Sequence, residues 1–204
     1  MKMRVHRCWL AGAAAMLSAC AAAPTRFYTL VPPAPATQTQ ATTAATLQIE
    51  VLPVEIPLQV DRPQMVVREG GGRIVPVETR QWIAPLATEI RSALSADLTH
   101  ELGADDVYGI AAAPKLPTYR IALKVQRFDS ALGAYARVDA LWSIRDSDNG
   151  RVTCASTVSE PVPPGYAELA AGHQRAIAAI AAAIAGSIRD ARQDHASLAC
   201  PDKN

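Results

Sequence analysis

Two long segments of the chain place apolar residues three or four positions apart, which is the period of an amphipathic helix. In the first, residues 82–102, Pro85 falls in the first turn, where its missing N–H has no intrahelical partner, and Gly103 favours termination. The second, residues 166–189, is rich in alanine and suited to close packing. The predicted apolar stripes are Ile83, Leu86, Ile90, Leu94, Leu98 and Leu102, and then Leu169, His173, Ile177, Ile180, Ile184 and Ile188.

Alternation of apolar and polar residues predicts half-buried strands at residues 47–51, 119–126, 136–145 and 151–159. An Asn-Gly pair at 149–150 precedes the last of them and favours a tight hairpin turn. The three glycines at 70–72 separate two further β-rich runs and predict another hairpin. Prolines at 53, 57 and 63 exclude the segment between them from a central strand, so it forms either an edge or an extended crossing.

The order of these elements predicts an α+β fold, a mainly antiparallel sheet with two amphipathic helices packed on one face. We expect a single domain at residues 46–190, followed by a polar C-terminal tail at residues 191–204. The longest apolar run of the second helix, residues 176–185, is about half of the roughly 20 residues that span a bilayer. It is therefore predicted to be a core helix.

The N-terminal residues 1–19 have the features of a secretory signal peptide. Lys2, Arg4 and Arg7 precede a short apolar run that contains no acidic residue. The Leu-Ser-Ala that precedes Cys20 resembles a bacterial lipobox, in which the cysteine thiol carries diacylglycerol. The alternative is an ordinary signal peptide that happens to contain a cysteine. We predict removal of residues 1–19 and a lipid on Cys20. The two or more acyl chains on that cysteine would give stable membrane attachment.

Residues 20–45 are mostly Ala, Thr, Pro and Gln, a composition that buries too little apolar surface to offset its ordering entropy. They are predicted to form a flexible tether from the membrane to the domain. The exception is the segment at 26–30, where Phe27 and Tyr28 either dock on the domain as a short edge strand or contact a partner. An Asp after the lipidated cysteine often signals retention in the inner membrane, so Ala21 favours the outer membrane.

The balance of charged residues argues against two classes of partner. The chain has 20 basic and 19 acidic residues, and three of the basic ones lie in the signal peptide. No basic stripe remains, which argues against nucleic acid and against polybasic membrane docking. We therefore expect membrane attachment through the lipid anchor.

Cysteine usage points to an oxidising compartment. Cys8 is lost with the signal peptide and Cys20 is lipidated, which leaves Cys154 and Cys200 as a candidate disulfide. That bond would tie the tail back to a strand and restrict the unfolded chain. Two free thiols are the alternative, because spacing alone does not show that the two Cα atoms come together.

Motifs for catalysis, cofactors or metal ions are missing from the sequence. The histidines of the mature chain, His100, His173 and His195, do not occur in zinc-ligand spacing, and neither a nucleophile elbow nor a phosphate-binding loop is found. The neighbouring carboxylates Asp105 and Asp106 are expected to be solvated. We predict a protein that is not an enzyme and uses no cofactor.

Three stretches together resemble a known family. They are residues 54–68, residues 80–86 around Trp82, and residues 27–30 soon after the lipobox cysteine. Their order is similar to that of the PqiC family, the auxiliary lipoproteins of ABC-type transport systems that contain MCE-domain proteins. The likeness covers the mature chain up to the second helix. Gln81 and Ile83 depart from the pattern, which has Arg at the first position and an acidic or small residue at the second.

The resemblance implies an outer-membrane lipoprotein facing the periplasm, where it receives or stabilises the end of an MCE tunnel that carries lipids. Its implied partner is a periplasmic MCE-domain protein, and homo-oligomerisation stays open. A periplasmic scaffold or outer-membrane assembly lipoprotein with another partner is the alternative. Asp61 and Arg62 form either a surface corner that binds a partner carboxylate or lipid phosphate, or an internal ion pair. The candidate partner contacts are Asp61, Arg62, Phe27 and Tyr28.

Overall fold

The computed structural model describes residues 23–33, 45–113, 115–148, 150–193, 195 and 197–201. The signal peptide at 1–19, Cys20, and parts of the predicted tether and C-terminal tail lie outside the described residues. The strands are β1 (Arg26–Tyr28), β2 (Gln48–Val51), β3 (Gln64–Arg68), β4 (Ile74–Trp82), β5 (Asp105–Asp106), β6 (Thr118–Ala131), β7 (Tyr135–Arg145) and β8 (Arg151–Pro161). The α-helices are α1 (Leu86–Leu102) and α2 (Tyr166–Gln193).

The predicted antiparallel meander is present as β6, β7 and β8, which pair in sequence order. Strict burial alternation along β7 shows that one face of the sheet meets the core and the other meets solvent. A register shift between Val125 and Arg127 interrupts the pairing of β6 with β7.

Two parallel strands extend this sheet beyond the meander, so it is mixed rather than mainly antiparallel. Its order is β5-β2-β6-β7-β8, with β2 parallel to both neighbours. Three of the four β2 residues are buried, as expected for a strand covered on both faces. The predicted α+β class is confirmed. The sheet differs from the predicted one because β2 and β5 join it as parallel strands.

A second sheet has the order β1-β4-β3. The predicted glycine hairpin joins β3 to β4, and Gly71 and Gly72 adopt φ values of 73° and 79°, which glycine tolerates best. Pro76 lies in the middle strand, but β1 pairs with β4 only from Arg80 onward. Pro76 therefore has no partner on β1, and its missing N–H costs no hydrogen bond between these two strands.

Both helices pack on the five-stranded sheet and against each other, α1 over β2 and β5 and α2 over β7 and β8. All six predicted stripe residues of α2 are buried. Buried Gly172 lets α2 approach the sheet closely, because a Cβ there would lie 2.9 Å from the Cβ of Ala136.

The first helix begins later than its periodicity predicts, at Leu86 rather than Trp82. Pro85 is the residue before the helix, with an extended ψ of 133°, and Trp82 is the last residue of β4. A proline disfavours helical geometry in the residue before it, so Ala84 cannot easily continue a helix upstream. At the other end Gly103 is left-handed with φ 58°, as expected for a C-terminal stop.

Residues on both sides of the 46–190 segment pack on it, and at the N-terminal side this is the short edge strand that the sequence offered as one alternative. Residues 26–30 pack on the domain: β1 pairs with β4, and Leu30 is fully buried. At the C-terminal end α2 continues to Gln193, Leu198 joins the core, and Cys200 is bonded to Cys154 with the two Cα atoms 5.6 Å apart. Apolar side chains within otherwise polar segments account for the packing at both ends.

Candidate docking groove

An open, mainly apolar groove of about 410 Å³ lies where β1, the end of β4 and the segment before β3 meet. We call it the docking groove. Its lining residues are Phe27, Asp61, Arg62, Pro63, Gln81, Trp82, Ile83, Ala84 and Pro85. They come from the three stretches that carry the family resemblance in the sequence.

Backbone hydrogen bonds join these three segments at one point. The N–H of Trp82 donates to the carbonyl of Pro63 at 2.8 Å, and the N–H of Ile83 donates to the carbonyl of Tyr28 at 2.9 Å. Residues 82 and 83 are therefore held by the segments on either side of them, rather than by the helix that follows. The hydrogen bonds therefore hold the groove at the ends of β1 and β4 and the start of β3.

The floor of the docking groove is rigid. Trp82 is only 5% exposed, and its ring meets Phe128 edge to face with the centroids 6.0 Å apart. Phe128 in turn stacks on His173, with the centroids 3.8 Å apart. Trp82 is thus a core residue.

The rim of the docking groove is exposed and apolar. Phe27 is 56% exposed and Ile83 is 60% exposed, although both are large hydrophobic side chains. Exposed apolar clusters of this kind mark contact surfaces more often than isolated apolar residues do. Ile83 was predicted on the buried stripe of the first helix, and the structure places it outside that helix on the surface.

Asp61 and Arg62 lie on the exposed corner of the groove, directly after a turn of 3-10 helix at Leu58–Val60. In the part of the chain that the structure describes, neither side chain forms an ion pair or a hydrogen bond, so the internal ion pair is not observed there. Leu58 is 86% exposed, and its carbonyl accepts a bond from the N–H of Asp61. The corner offers one cation, one anion and one apolar side chain.

Strand alternation separates the two aromatic candidates. Phe27 faces the groove, whereas Tyr28 is half-buried and packs against the hydrophobic core. Directly after them, the buried carboxylate of Glu89 on α1 accepts bonds from the Thr29 hydroxyl and the Leu30 N–H, both at 2.7 Å. We call this arrangement the Glu89 latch, since it holds the segment that presents Phe27.

The polar clusters within the described residues have structural roles. Burial lowers the pKa of His173 to about 3, and its Nε2 lies 2.8 Å from the Ser130 hydroxyl, so the ring is a neutral core group. Asp106, expected to be solvated, is instead bonded by Arg91 and Ser95 of α1. The described residues contain no group of three or more side chains suited to a metal ion.

One ionic contact joins the two sheets. The guanidinium Nε of Arg68 on β3 lies 2.8 Å from both carboxylate oxygens of Asp129 on β6. This pair raises the pKa of the Arg68 guanidinium, and it ties β3 to β6. Neither residue was nominated from the sequence, because nothing local in either strand indicates that the other is near.

The fold and the groove define a small α+β domain with an open, mainly apolar groove on its surface. The chain belongs to the family described as the ABC-type transport auxiliary lipoprotein component, whose model matches residues 28–185. That match confirms the sequence resemblance and identifies an auxiliary component of a transport system. No helix in the described part of the chain is both long and apolar enough to cross a membrane.

Solved structures share this fold at low sequence identity. A crystal structure of an uncharacterized protein matches with 17% identity and a TM-score of 0.64, over 81% of this chain and 99% of that one. A DUF330 protein from Xanthomonas campestris matches with 19% identity and a TM-score of 0.56, over 83% and 99% of the two chains. These likenesses show the fold alone.

A PelC dodecamer from Paraburkholderia phytofirmans is more distant, with 13% identity over 67% of this chain and 87% of that one. Its TM-score of 0.38 is too low to bear on oligomeric state here. A search of the curated proteins finds no match.

Proposed function

We propose that this chain is the outer-membrane lipoprotein subunit of an ABC-type transport system that contains an MCE-domain protein and moves lipids between the two membranes. The observation that carries the proposal is the meeting of the three resembling segments at one surface groove. A sequence pattern concentrated at a contact surface is expected of a subunit that works by binding.

The location follows from the N-terminal sequence. Cys20 at the end of a lipobox would carry the acyl chains, and Ala21 lacks the acidic residue that often retains lipoproteins in the inner membrane. Attachment by two or three chains is stable, because each buried methylene contributes about 0.8 kcal/mol. The domain would then face the periplasm, where Cys154 and Cys200 can stay bonded.

The proposed role is non-catalytic. The docking groove presents apolar side chains and one Asp-Arg corner, which suit binding, and the described polar clusters hold the fold together. In this proposal the transporter's own subunits supply nucleotide hydrolysis, and this chain supplies an attachment at the outer membrane. An outer-membrane scaffold with a different partner is the competing function, since it would use the same lipid and the same kind of groove.

In-cell crosslinking of the full-length tagged protein separates these two functions. We expect membrane solubilisation and mass spectrometry to recover an MCE-domain protein from cells that carry the native chain. The control is Cys20→Ala, which cannot be acylated and should lose that partner. Recovery of outer-membrane assembly proteins without an MCE-domain protein would reject the transport proposal and favour the scaffold.

A further inference from the structure

The distance between the lipid site and the folded domain is short. Only residues 21–25 separate Cys20 from the first residue of β1, Arg26. A chain extends by at most about 3.6 Å per residue, so these six steps reach roughly 20 Å. A tether that ended at residue 45 would have reached several times as far.

Acylation of Cys20 would therefore keep the docking groove close to the membrane. Phe27, a groove residue, follows Arg26 directly, so a lipid on Cys20 would hold Phe27 within roughly 25 Å of the bilayer surface. Tethering at this range gives an effective concentration of order mM for any surface contact. Even a weak contact would then be occupied most of the time.

The chemistry of this face suits a lipid interface. Phe27, Ile83 and Leu58 are three of the seven large hydrophobic side chains that are exposed in the described part of the chain. Exposed Arg62 lines the same groove as Phe27 and Ile83. Apolar and aromatic side chains next to arginines are typical of surfaces that lie in the headgroup region.

The Asp61-Arg62 corner fits one kind of headgroup in particular. Phosphatidylethanolamine carries a phosphate and an ammonium group, which complement a guanidinium and a carboxylate respectively. On a surface of purely anionic lipid, the repulsion of Asp61 would oppose the attraction of Arg62. The adjacent acid and base therefore favour a zwitterionic leaflet.

We propose that the docking groove lies against the leaflet that holds the Cys20 lipid, with Phe27, Leu58 and Ile83 in the interface and Arg62 on lipid phosphate. This proposal rests on the acylation of Cys20 that is part of the proposed function. It assigns the bilayer itself as the partner of the groove, and leaves other faces of the domain for the transporter.

Depth measurements on the full-length acylated protein in phosphatidylethanolamine and phosphatidylglycerol vesicles test the proposal. Ile83→Cys and Leu58→Cys carry a spin label, and Ile110→Cys is the matched control, since Ile110 is 69% exposed in the loop after β5. Cys154 and Cys200 are bonded to each other, so the introduced thiol is the one that reacts. Thermal melting verifies that each variant is folded.

We expect the labels at positions 83 and 58 to lie about 5–10 Å below the phosphates, and the label at 110 to stay in water. Arg62→Gln should move the label at position 83 outward. Labels in water at both position 83 and position 58 would overturn the proposal, and so would shielding at position 83 that arises only on adding an MCE-domain protein. A mass spectrum without acyl chains on Cys20 would also overturn it, whereas failure to recover an MCE-domain protein in cells would reject only the transport role.

Discussion

The buried and half-buried acidic residues of this protein differ mainly in how many hydrogen bonds their carboxylates accept. Glu89 and Asp106 accept several hydrogen bonds in buried or half-buried positions. Asp97 on α1 is half-buried as well, and burial, with the Glu101 carboxylate as the second cause, raises its pKa from 3.8 to about 6. Near neutral pH the ionised carboxylate of Asp97 therefore lowers the stability of the folded state.

Asp97→Asn should stabilise the protein above pH 6. The native state binds the Asp97 proton more tightly than the unfolded state does, so stability falls as pH rises from about 4 to about 6 and stays lower above that range. After allowance for solvent screening we expect a gain of about 1 kcal/mol at pH 7.5, vanishing below about pH 4.

Urea denaturation of both forms across this pH range measures the effect. Asp148→Asn, which removes an exposed carboxylate from the β7–β8 turn, is the control and should show no such pH dependence. Equal stability of Asp97→Asn and the native chain at pH 7.5 would contradict the raised pKa.

The sequence predicted the members of the candidate site better than their arrangement. Phe27, Asp61 and Arg62 were nominated individually, and the structure collects all three at one groove. Tyr28 was nominated beside them but faces the core, because neighbours on a strand point to opposite sides. Ile83 was missed as a surface residue, since its spacing from Leu86 fits a helix that the structure begins three residues later.

At the level of elements, long periodic segments were predictable, whereas the pairing of the shortest strands was not. The two helices and the meander contain enough repeats for their periods to be read from the sequence. By contrast β1 has three residues and β5 has two, and both are parallel strands whose partners lie far along the chain. Their pairing depends on tertiary contacts that no local pattern records.

The Glu89 latch is the contact between elements that most directly positions the docking groove. Glu89→Ala should release residues 26–30 from the domain, because it removes two bonds to a buried charged acceptor, each worth about 1.5–3 kcal/mol. We expect faster hydrogen exchange at the Leu30 amide and easier proteolysis near Arg26, with the meander unaffected.

Glu101→Gln is the control on the same helix, since Glu101 forms an exposed ion pair with Arg189 and should leave exchange at Leu30 unchanged. Unchanged protection of Leu30 in Glu89→Ala would show that β1 pairing alone holds the segment.

For the whole molecule, both ends of the chain fold back onto one core. The N-terminal segment adds an edge strand to the smaller sheet, and the C-terminal segment adds Leu198 to the core and Cys200 to the bond with Cys154 on β8. That cysteine pair could be nominated from the sequence by elimination of the others. The position of the tail on β8 could not, because a polar tail has no pattern of its own.

Removal of the disulfide should lower the unfolding free energy by about 3–4 kcal/mol. The bond closes a loop with a sequence separation of 46, and the lost constraint on the unfolded chain gives this magnitude. The change is Cys154→Ala with Cys200→Ser, measured by urea denaturation with and without a reducing agent. Reductant should shift the native chain to the midpoint of the double variant and leave the variant unmoved, and equal midpoints for all samples would contradict the prediction.

The placement of β1 has a mechanical consequence. With Cys20 acylated as proposed, a pull on the membrane anchor would enter this domain through Cys20, and the three-residue strand β1 and the Glu89 latch would bear it before the long meander does. Detachment of β1 would free the chain as far as β2 and lengthen the connection from roughly 20 Å to about 90 Å without unfolding the remaining domain. The connection would then lengthen before the domain itself unfolds. In the proposed function, this would let the protein stay attached while the distance between the outer membrane and the transporter varies.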